Sequence, residues 1–323
     1  MQLSDLKKAM KGIIIIQITP FNEDGSLDLE GMRANTRWLL ERSEGKDCMF
    51  TPMGGDGEFY TMSDDERKAV IKMVVEEVKG KKVVCPGAAQ IGTRETIKMV
   101  QYAESVGADA VMILSPYYSP PTEEGVYQHY KQIAESVSKD FGIMLYNNPG
   151  STGSWMKPPL LARLSKIPNI IADKENTPST VSFHEVQRAI DPNDLVVMCG
   201  RGEHGSSFTA LFGFPGFASS IVNFAPGLSY ALYEAAAGRD FDKMVEVLDT
   251  MAPYFSFSNK ATANHGPHVG IGQMGGNMLI GVAKAAMDIV GLRGGEVRLP
   301  LVGLREEEKD ELRDVLRAMK VVK

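Results

Sequence analysis

The chain has 323 residues, of which 43% are hydrophobic, and a formal net charge of −6. This composition supplies a large hydrophobic core and gives no electrostatic reason to expect nucleic acid or an anionic membrane as a partner. Its apolar runs are much shorter than a membrane span. Cys48, Cys85 and Cys199 are widely spaced in apolar stretches, which is typical of buried free thiols. We therefore expect a cytoplasmic protein without a targeting segment.

Short, nearly continuous apolar runs recur eight times, and each is typical of a strand covered on both faces. They lie at residues 13–18, 47–53, 82–88, 109–114, 141–146, 169–173, 195–199 and 217–222. Amphipathic segments of helical period separate them, at residues 29–42, 64–79, 93–106, 123–137, 157–164 and 180–190. Eight βα units close most economically into one parallel barrel, so the pattern predicts an α/β protein with a (β/α)8 TIM barrel.

After the eighth strand the pattern is helical only, with segments at 228–237, 240–251, 278–290 and 305–319. We therefore expect a barrel domain over residues 1–236 and a C-terminal helical region over 237–323. Residues 256–277 are rich in Gly, Asn, Ser and His and lack a period, which predicts a long insertion suited to a lid or an oligomer contact. His265 and His268 lie in it, but Gly266 and Pro267 disfavour a helix there and no third ligand is evident, so we assign no metal.

The polar residues that end the strands carry the chemistry of such a barrel. The fifth predicted strand ends at Tyr146 and the sixth is followed by Lys174, which places a phenol and an amine at one mouth. A desolvated lysine amine can attack a ketone and form a Schiff base, and a nearby tyrosine can relay protons. From spacing alone, a surface lysine at a strand end and a core tyrosine are the simpler interpretation.

An ordered series of motifs runs from about residue 12 to about residue 301. The main ones are Thr19-Pro20-Phe21, Gly54-Gly55-Asp56-Gly57-Glu58, Pro116-Tyr117-Tyr118, Tyr146-Asn147-Asn148-Pro149, Lys174-Glu175 and Val297-Arg298-Leu299-Pro300-Leu301. In these motifs the chain resembles the dihydrodipicolinate synthase and N-acetylneuraminate lyase family of Schiff-base-forming class I aldolases. The resemblance implies a homodimer or homotetramer, a small 2-oxo acid such as pyruvate or a keto-deoxy sugar acid as substrate, and no cofactor besides the covalent Schiff base.

The resemblance also implies roles for individual residues. It assigns the Schiff base to Lys174 and proton relay to Tyr146. Tyr118 matches a tyrosine that reaches across a dimer interface into the neighbouring site. Ser220 matches a polar position that lines the family's pocket, with a small core residue as its alternative.

The turn at residues 54–57 departs from the family pattern. In the family this turn holds the carboxylate of the pyruvyl group, a role that falls here on Gly54, Gly55, Asp56 and Gly57. Gly55 and Asp56 stand where the synthases and lyases carry two hydroxyl residues, and the Gly-Gly-x-Gly-Glu-Phe form is closer to the sugar-acid dehydratase branch. Asp56 is suited to act as an acid or base or to bind a substrate hydroxyl, and a turn aspartate bonded to its own backbone is equally compatible.

Two further departures concern the second substrate. Ser151 stands where the synthases carry an arginine for a substrate carboxylate, which argues against the lysine-pathway synthase. The sugar-contacting region of the lyases corresponds to Gly200, Arg201 and Glu203, with Gly202 in place of an aspartate. Arg201 and Glu203 are suited to a carboxylate and a hydroxyl respectively, whereas a solvated loop with charges of both signs is the alternative.

Three functions are therefore open at this point. The first is a lyase that makes or breaks a C–C bond to a pyruvyl unit through the lysine Schiff base. The second is a dehydratase of a 2-keto-3-deoxy sugar acid, which uses the same intermediate. The third is a barrel that binds a 2-oxo acid without turnover.

Overall fold

The computed structural model describes residues 1–177, 179–213, 215–266 and 278–323. Eight parallel strands form one sheet in the order β3-β2-β1-β8-β7-β6-β5-β4, and a parallel bridge between Gly87 and Met112 joins its two outer strands. The strands are β1 (Gly12–Ile16), β2 (Cys48–Thr51), β3 (Val83–Val84), β4 (Ala110–Leu114), β5 (Gly142–Asn147), β6 (Ile170–Glu175), β7 (Val196–Cys199) and β8 (Gly216–Ser219). The predicted (β/α)8 TIM barrel is confirmed.

Helices surround the barrel and extend it at the C-terminal end. They are α1 (Leu3–Ala9), α2 (Leu29–Arg42), α3 (Asp64–Val78), α4 (Thr93–Ser105), α5 (Glu123–Glu135), α6 (Pro149–Thr152), α7 (Pro158–Leu164), α8 (Thr180–Ala189), α9 (Gly202–Thr209), α10 (Pro226–Ala237), α11 (Phe241–Asn264), α12 (Leu279–Ile289) and α13 (Glu306–Ala318). The sequence does not predict α1, α6 and α9. In the described part of the chain, none of these helices has the length and apolar composition needed to cross a membrane.

Alternate strand residues fill two cores. Side chains such as Ile14, Met49 and Met144 fill the inside of the barrel, and others such as Ile13, Phe50 and Ile143 pack beneath the helices. Because both faces of each strand are covered, the strands read as continuous apolar runs. Burial of each such side chain stabilises the fold by about 1.5–3 kcal/mol. The three cysteines are buried and free, as the sequence predicts.

The C-terminal region differs from the prediction in one helix. The predicted helix over 240–251 continues as α11 to Asn264. The prediction of an irregular segment over residues 256–264 is therefore wrong. The buried residues repeat every three or four positions through the whole helix: Met244, Val247, Met251, Tyr254, Phe257 and Ala261. Pro253 and the polar residues of the exposed face obscure this period in the sequence.

The rest of the predicted insertion is only partly described. His265 follows α11, and its Nε2 lies 2.7 Å from Glu308 Oε2 at the start of α13. His268 and residues 267–277 lie outside the described residues. The division of the chain at residue 236 stays a prediction.

Candidate active site

Lys174 and Tyr146 meet at the carboxyl ends of two neighbouring strands. The parallel register of β5 and β6 places them side by side. Lys174 is only 4% exposed, and its Nζ lies 3.7 Å from the centre of the Tyr146 ring. The amine lies over the face of the ring, and Tyr146 Oη accepts a hydrogen bond from Asn148 Nδ2 at 2.8 Å. The structure thus brings together the two residues that the sequence singles out.

A cavity of about 460 Å3 opens beside Lys174. Its wall contains five residues that the sequence predicts to bind substrate, which are Asp56, Gly200, Arg201, Glu203 and Ser220. Gly202, between two of them, also lines the cavity. Gly200 follows β7 and must be small, since a Cβ there would lie 3.1 Å from Lys174 Cγ and 2.9 Å from Asn176 Oδ1. The missing side chain keeps room beside the amine.

The turn after β2 separates this cavity from a second one. A Cβ on Gly54 would lie 2.7 Å from Ile16 Cγ2, and one on Gly57 would lie 2.8 Å from Gln17 O, so both glycines allow the turn to pack against β1. Gly55 is different, because nothing lies within 4 Å of the position of its Cβ. Gly54 and Gly55 line the second cavity, whereas Asp56 lines the cavity of Lys174.

Asp56 is half-buried and lines the cavity together with Ser220. Its carboxyl therefore faces groups on distant segments of the chain. Burial raises the pKa of the Asp56 carboxyl, while the charge of Lys174 and the hydrogen bond with Ser220 lower it.

Glu203 lies in the first turn of α9 and is 3% exposed, so the alternative of a solvated loop is wrong for this residue. Its Oε1 accepts hydrogen bonds from Ser219 Oγ at 2.5 Å and Ser229 Oγ at 3.0 Å. Burial raises the pKa of Glu203, and the nearby Asp56 raises it further. Arg201 precedes the helix, and its Nη1 donates to Thr177 O at 3.1 Å.

The sequence does not predict two aromatic residues of the site, which lie on α11. Tyr254 and Phe255 line the cavity of Lys174, and the ring of Phe255 stacks on His204 with 3.8 Å between centres. Tyr254 is 1% exposed, and its hydroxyl has no hydrogen-bond partner among the described residues. Burial and the carboxyls of Glu203 and Asp56 raise the pKa of Tyr254. The signal that could have found these residues is the buried period of α11, which continues past Pro253.

The second cavity has a volume of about 400 Å3 and shares Tyr146 with the first. Its wall is mainly apolar and includes Met112, Leu114 and Ser151. Tyr118 lines neither cavity of its own chain and is 84% exposed.

Comparison with known proteins places the chain in a family. Residues 9–319 match the dihydrodipicolinate synthetase family. The chain belongs to this family. It is 33% identical to the 4-hydroxy-tetrahydrodipicolinate synthase of Archaeoglobus fulgidus over 97% of this chain and 99% of that protein. Over 72% of this chain and 77% of the relative, it is 36% identical to the synthase of the same name from Methylococcus capsulatus.

Solved structures agree with this assignment. A crystal structure of a dihydrodipicolinate synthase matches with a TM-score of 0.82 and 31% identity, over 97% of this chain and all of that one. YagE of E. coli K12, a member of the same family solved in complex with pyruvate, matches with a TM-score of 0.83 and 28% identity, over 97% and 99% of the two chains. The family and its named relatives point to an enzyme of the aldolase or synthase type.

Proposed function

We propose that this protein is a lyase that binds pyruvate or a related 2-oxo acid as a Schiff base on Lys174, and that it makes or breaks a C–C bond to the pyruvyl unit. The observation that carries the proposal is the buried Lys174 amine in a cavity wall, against the ring of Tyr146, at the carboxyl end of a barrel strand. The pyruvate complex of the relative YagE supports the choice of ligand.

The surrounding residues fit the steps of this chemistry. The amine of Lys174 attacks the C2 ketone, water leaves, and the resulting iminium accepts electrons from the neighbouring carbon. Tyr146 moves protons while the iminium forms. The N–H groups of Gly57 and Glu58 donate to Gly54 O and Gly55 O within the turn. The amides at its beginning, from Gly55 and Asp56, are therefore the ones that bind the C1 carboxylate.

The second substrate differs from that of the named relatives in this proposal. The relatives are called 4-hydroxy-tetrahydrodipicolinate synthases, yet Ser151 supplies no guanidinium for a second carboxylate. Recognition of the acceptor falls to Arg201, Glu203 and Ser220, which all line the Lys174 cavity. The exposed Tyr118 completes the site of a second copy in a homodimer or homotetramer.

A dehydratase is the second candidate, and Asp56 is the observation that favours it. Loss of water from a 2-keto-3-deoxy sugar acid needs a group that can protonate the leaving hydroxyl, and a carboxyl in the cavity wall can do so. The two candidates differ in their products, because the aldolase releases pyruvate and the dehydratase retains every carbon of its substrate.

Borohydride reduction in the presence of pyruvate tests the proposal. We expect a reduced adduct on the intact protein, mapped by peptide mass analysis to Lys174 and absent from Lys174→Ala. Lys98→Ala serves as a matched control, since Lys98 lies in an exposed ion pair with Glu95 and should leave the adduct unchanged.

Two results would contradict the proposal. One is the absence of an adduct with pyruvate and with every other 2-oxo acid tried. The other is an adduct on a different lysine, such as the buried Lys284. An adduct on Lys174 in a protein that turns over no 2-oxo acid would instead identify a binding barrel without catalysis.

A further inference from the structure

We propose that Asp56 is the acid–base group that moves the C3 proton of the Schiff base formed on Lys174. This inference rests on the function proposed above and adds a catalytic residue to it. The Asp56 carboxylate removes one proton from C3 of the iminium. The C–H electron pair becomes the C2=C3 bond, and the C2=N π pair moves onto nitrogen. The products are a neutral enamine and a protonated Asp56, and the reverse step returns the proton.

The position of Asp56 fits this role. It lines the same cavity as Lys174 and Ser220, and both of these residues influence its carboxyl. Glu203, the other carboxyl in the cavity wall, already accepts hydrogen bonds from Ser219 and Ser229. Asp56 is thus a carboxyl of the cavity wall that interacts with the charge of the Lys174 amine.

Tyr146 is less well placed for the same proton. Its ring face, and not its hydroxyl, lies against the Lys174 amine, and the hydroxyl oxygen accepts from Asn148. Gly55 has no side chain that could extend a relay from Tyr146. The carboxyl at position 56 supplies a proton-transfer group in the wall of the cavity that holds the amine.

The electrostatics of the cavity also suit the transfer. Lys174 favours the Asp56 carboxylate, whereas burial favours the neutral acid, and Glu203, Tyr60 and Tyr254 are the other titratable groups that interact with it. Proton transfer from the iminium to Asp56 converts an ion pair into two neutral groups. Partial burial of the Asp56 carboxyl favours that conversion, because burial disfavours charged groups.

Exchange of the C3 protons of pyruvate in D2O, followed by proton NMR, tests the inference without any second substrate. For Asp56→Asn we expect the exchange rate to fall by about 10²–10⁴-fold, while borohydride still traps pyruvate on Lys174. Asp56→Glu should restore part of the rate. The wild-type rate should rise with pH as Asp56 loses its proton, and this rise should be absent in Asp56→Asn. Asp65→Asn, the same change at an exposed site outside the cavity, should exchange like the wild type.

Three outcomes would overturn the inference. They are exchange at the wild-type rate in Asp56→Asn, loss of adduct and exchange together in Asp56→Asn, and loss of exchange with a retained adduct in Tyr146→Phe. Failure of the wild-type protein to form an adduct on Lys174 is a separate result, because it contradicts the proposed function itself. Thermal unfolding of each variant identifies a loss that is due to misfolding, and the wild-type pH profile tests the inference even if Asp56→Asn does not fold.

Discussion

Glu58 connects the turn at residues 54–57 to the C-terminal part of the chain. Its backbone is left-handed, with φ of 55°, and its side chain is fully buried. One carboxylate oxygen lies 2.5 Å from Lys284 Nζ, and the other accepts from the N–H of Arg298 at 3.0 Å. Burial lowers the pKa of Lys284 and the charge of Glu58 partly restores it. Each charge therefore depends on the other, because both side chains are buried from solvent.

Glu58→Gln should destabilise the protein strongly. The substitution leaves the Lys284 ammonium buried without a counter-charge, and removal of one partner from a buried ion pair costs about 3–5 kcal/mol. Urea unfolding measures the loss. Glu234→Gln is the control, because it breaks the exposed pair with Lys46 and should cost less than about 1 kcal/mol. Equal losses in the two variants would show that the buried ion pair stabilises the protein no more than the exposed one does.

At the scale of elements, the Arg298 side chain links the start of α3 to two other segments, at Gly25 and Thr61. Its guanidinium bonds to both carboxylate oxygens of Glu66 and also donates to Gly25 O and Thr61 O. Glu66 in turn completes a capping box with Ser63, so the same carboxylate caps the N-terminus of the helix and binds the arginine. The Arg298 guanidinium lowers the pKa of Glu66 to about 2.

Glu66→Gln should therefore destabilise the protein in a pH-dependent way. A carboxyl with a lowered pKa in the folded state adds stability above its unfolded pKa, and this stability is lost as pH falls towards about 2. We expect a loss of about 1–3 kcal/mol near neutral pH that shrinks as pH falls below about 4.5. Denaturant unfolding across this range measures it. Ser63→Ala removes only the cap and should cost about 1 kcal/mol at every pH; a pH-independent loss in Glu66→Gln would contradict the prediction.

Secondary-structure elements can be predicted from the sequence best where a single local pattern determines them. All eight strands could be found because burial on both faces makes each a continuous apolar run. The end of α11 could not, since Pro253 and an exposed polar face hide its period. The placement of Lys174 beside Tyr146 follows from strand order, but the contacts of Asp56 with Ser220 and of Tyr254 with the cavity join segments far apart in the chain. Such contacts depend on tertiary packing, which a single sequence does not reveal.

At the scale of the whole molecule, a pair of carboxyls lies buried behind Lys174 on the same strand. Asp173 and Glu175 are fully buried and point away from the barrel interior, because side chains alternate along β6. Asn147 Nδ2 donates to one oxygen of Glu175 at 2.8 Å, whereas both oxygens of Asp173 have no donor among the described residues. Burial raises the pKa of both groups, and each interacts with the other. We expect the two carboxyls to share a proton, which would supply a donor between them.

Because of this pair, the free energy of unfolding of the protein should decrease as pH rises. Burial raises the pKa of Asp173 to about 7. A carboxyl with a raised pKa in the folded state stabilises the protein below its unfolded pKa, and the stability is lost as pH rises through the folded value. Between about pH 4 and pH 7 this group should lower the free energy of unfolding by about 1.4 kcal/mol per pH unit.

Asp173→Asn should remove the contribution of Asp173 to that dependence, because an amide keeps a donor for Glu175 and does not ionise. We expect the variant to gain stability relative to the wild type as pH rises from about 5 to about 7, by about 1–3 kcal/mol. Urea unfolding of both proteins at matched pH values measures the difference. Asp65→Asn, which changes an exposed carboxyl, should keep the wild-type slope. If Asp173→Asn kept it too, the buried pair would hold no extra proton, and its negative charge would have to be balanced elsewhere in the barrel wall.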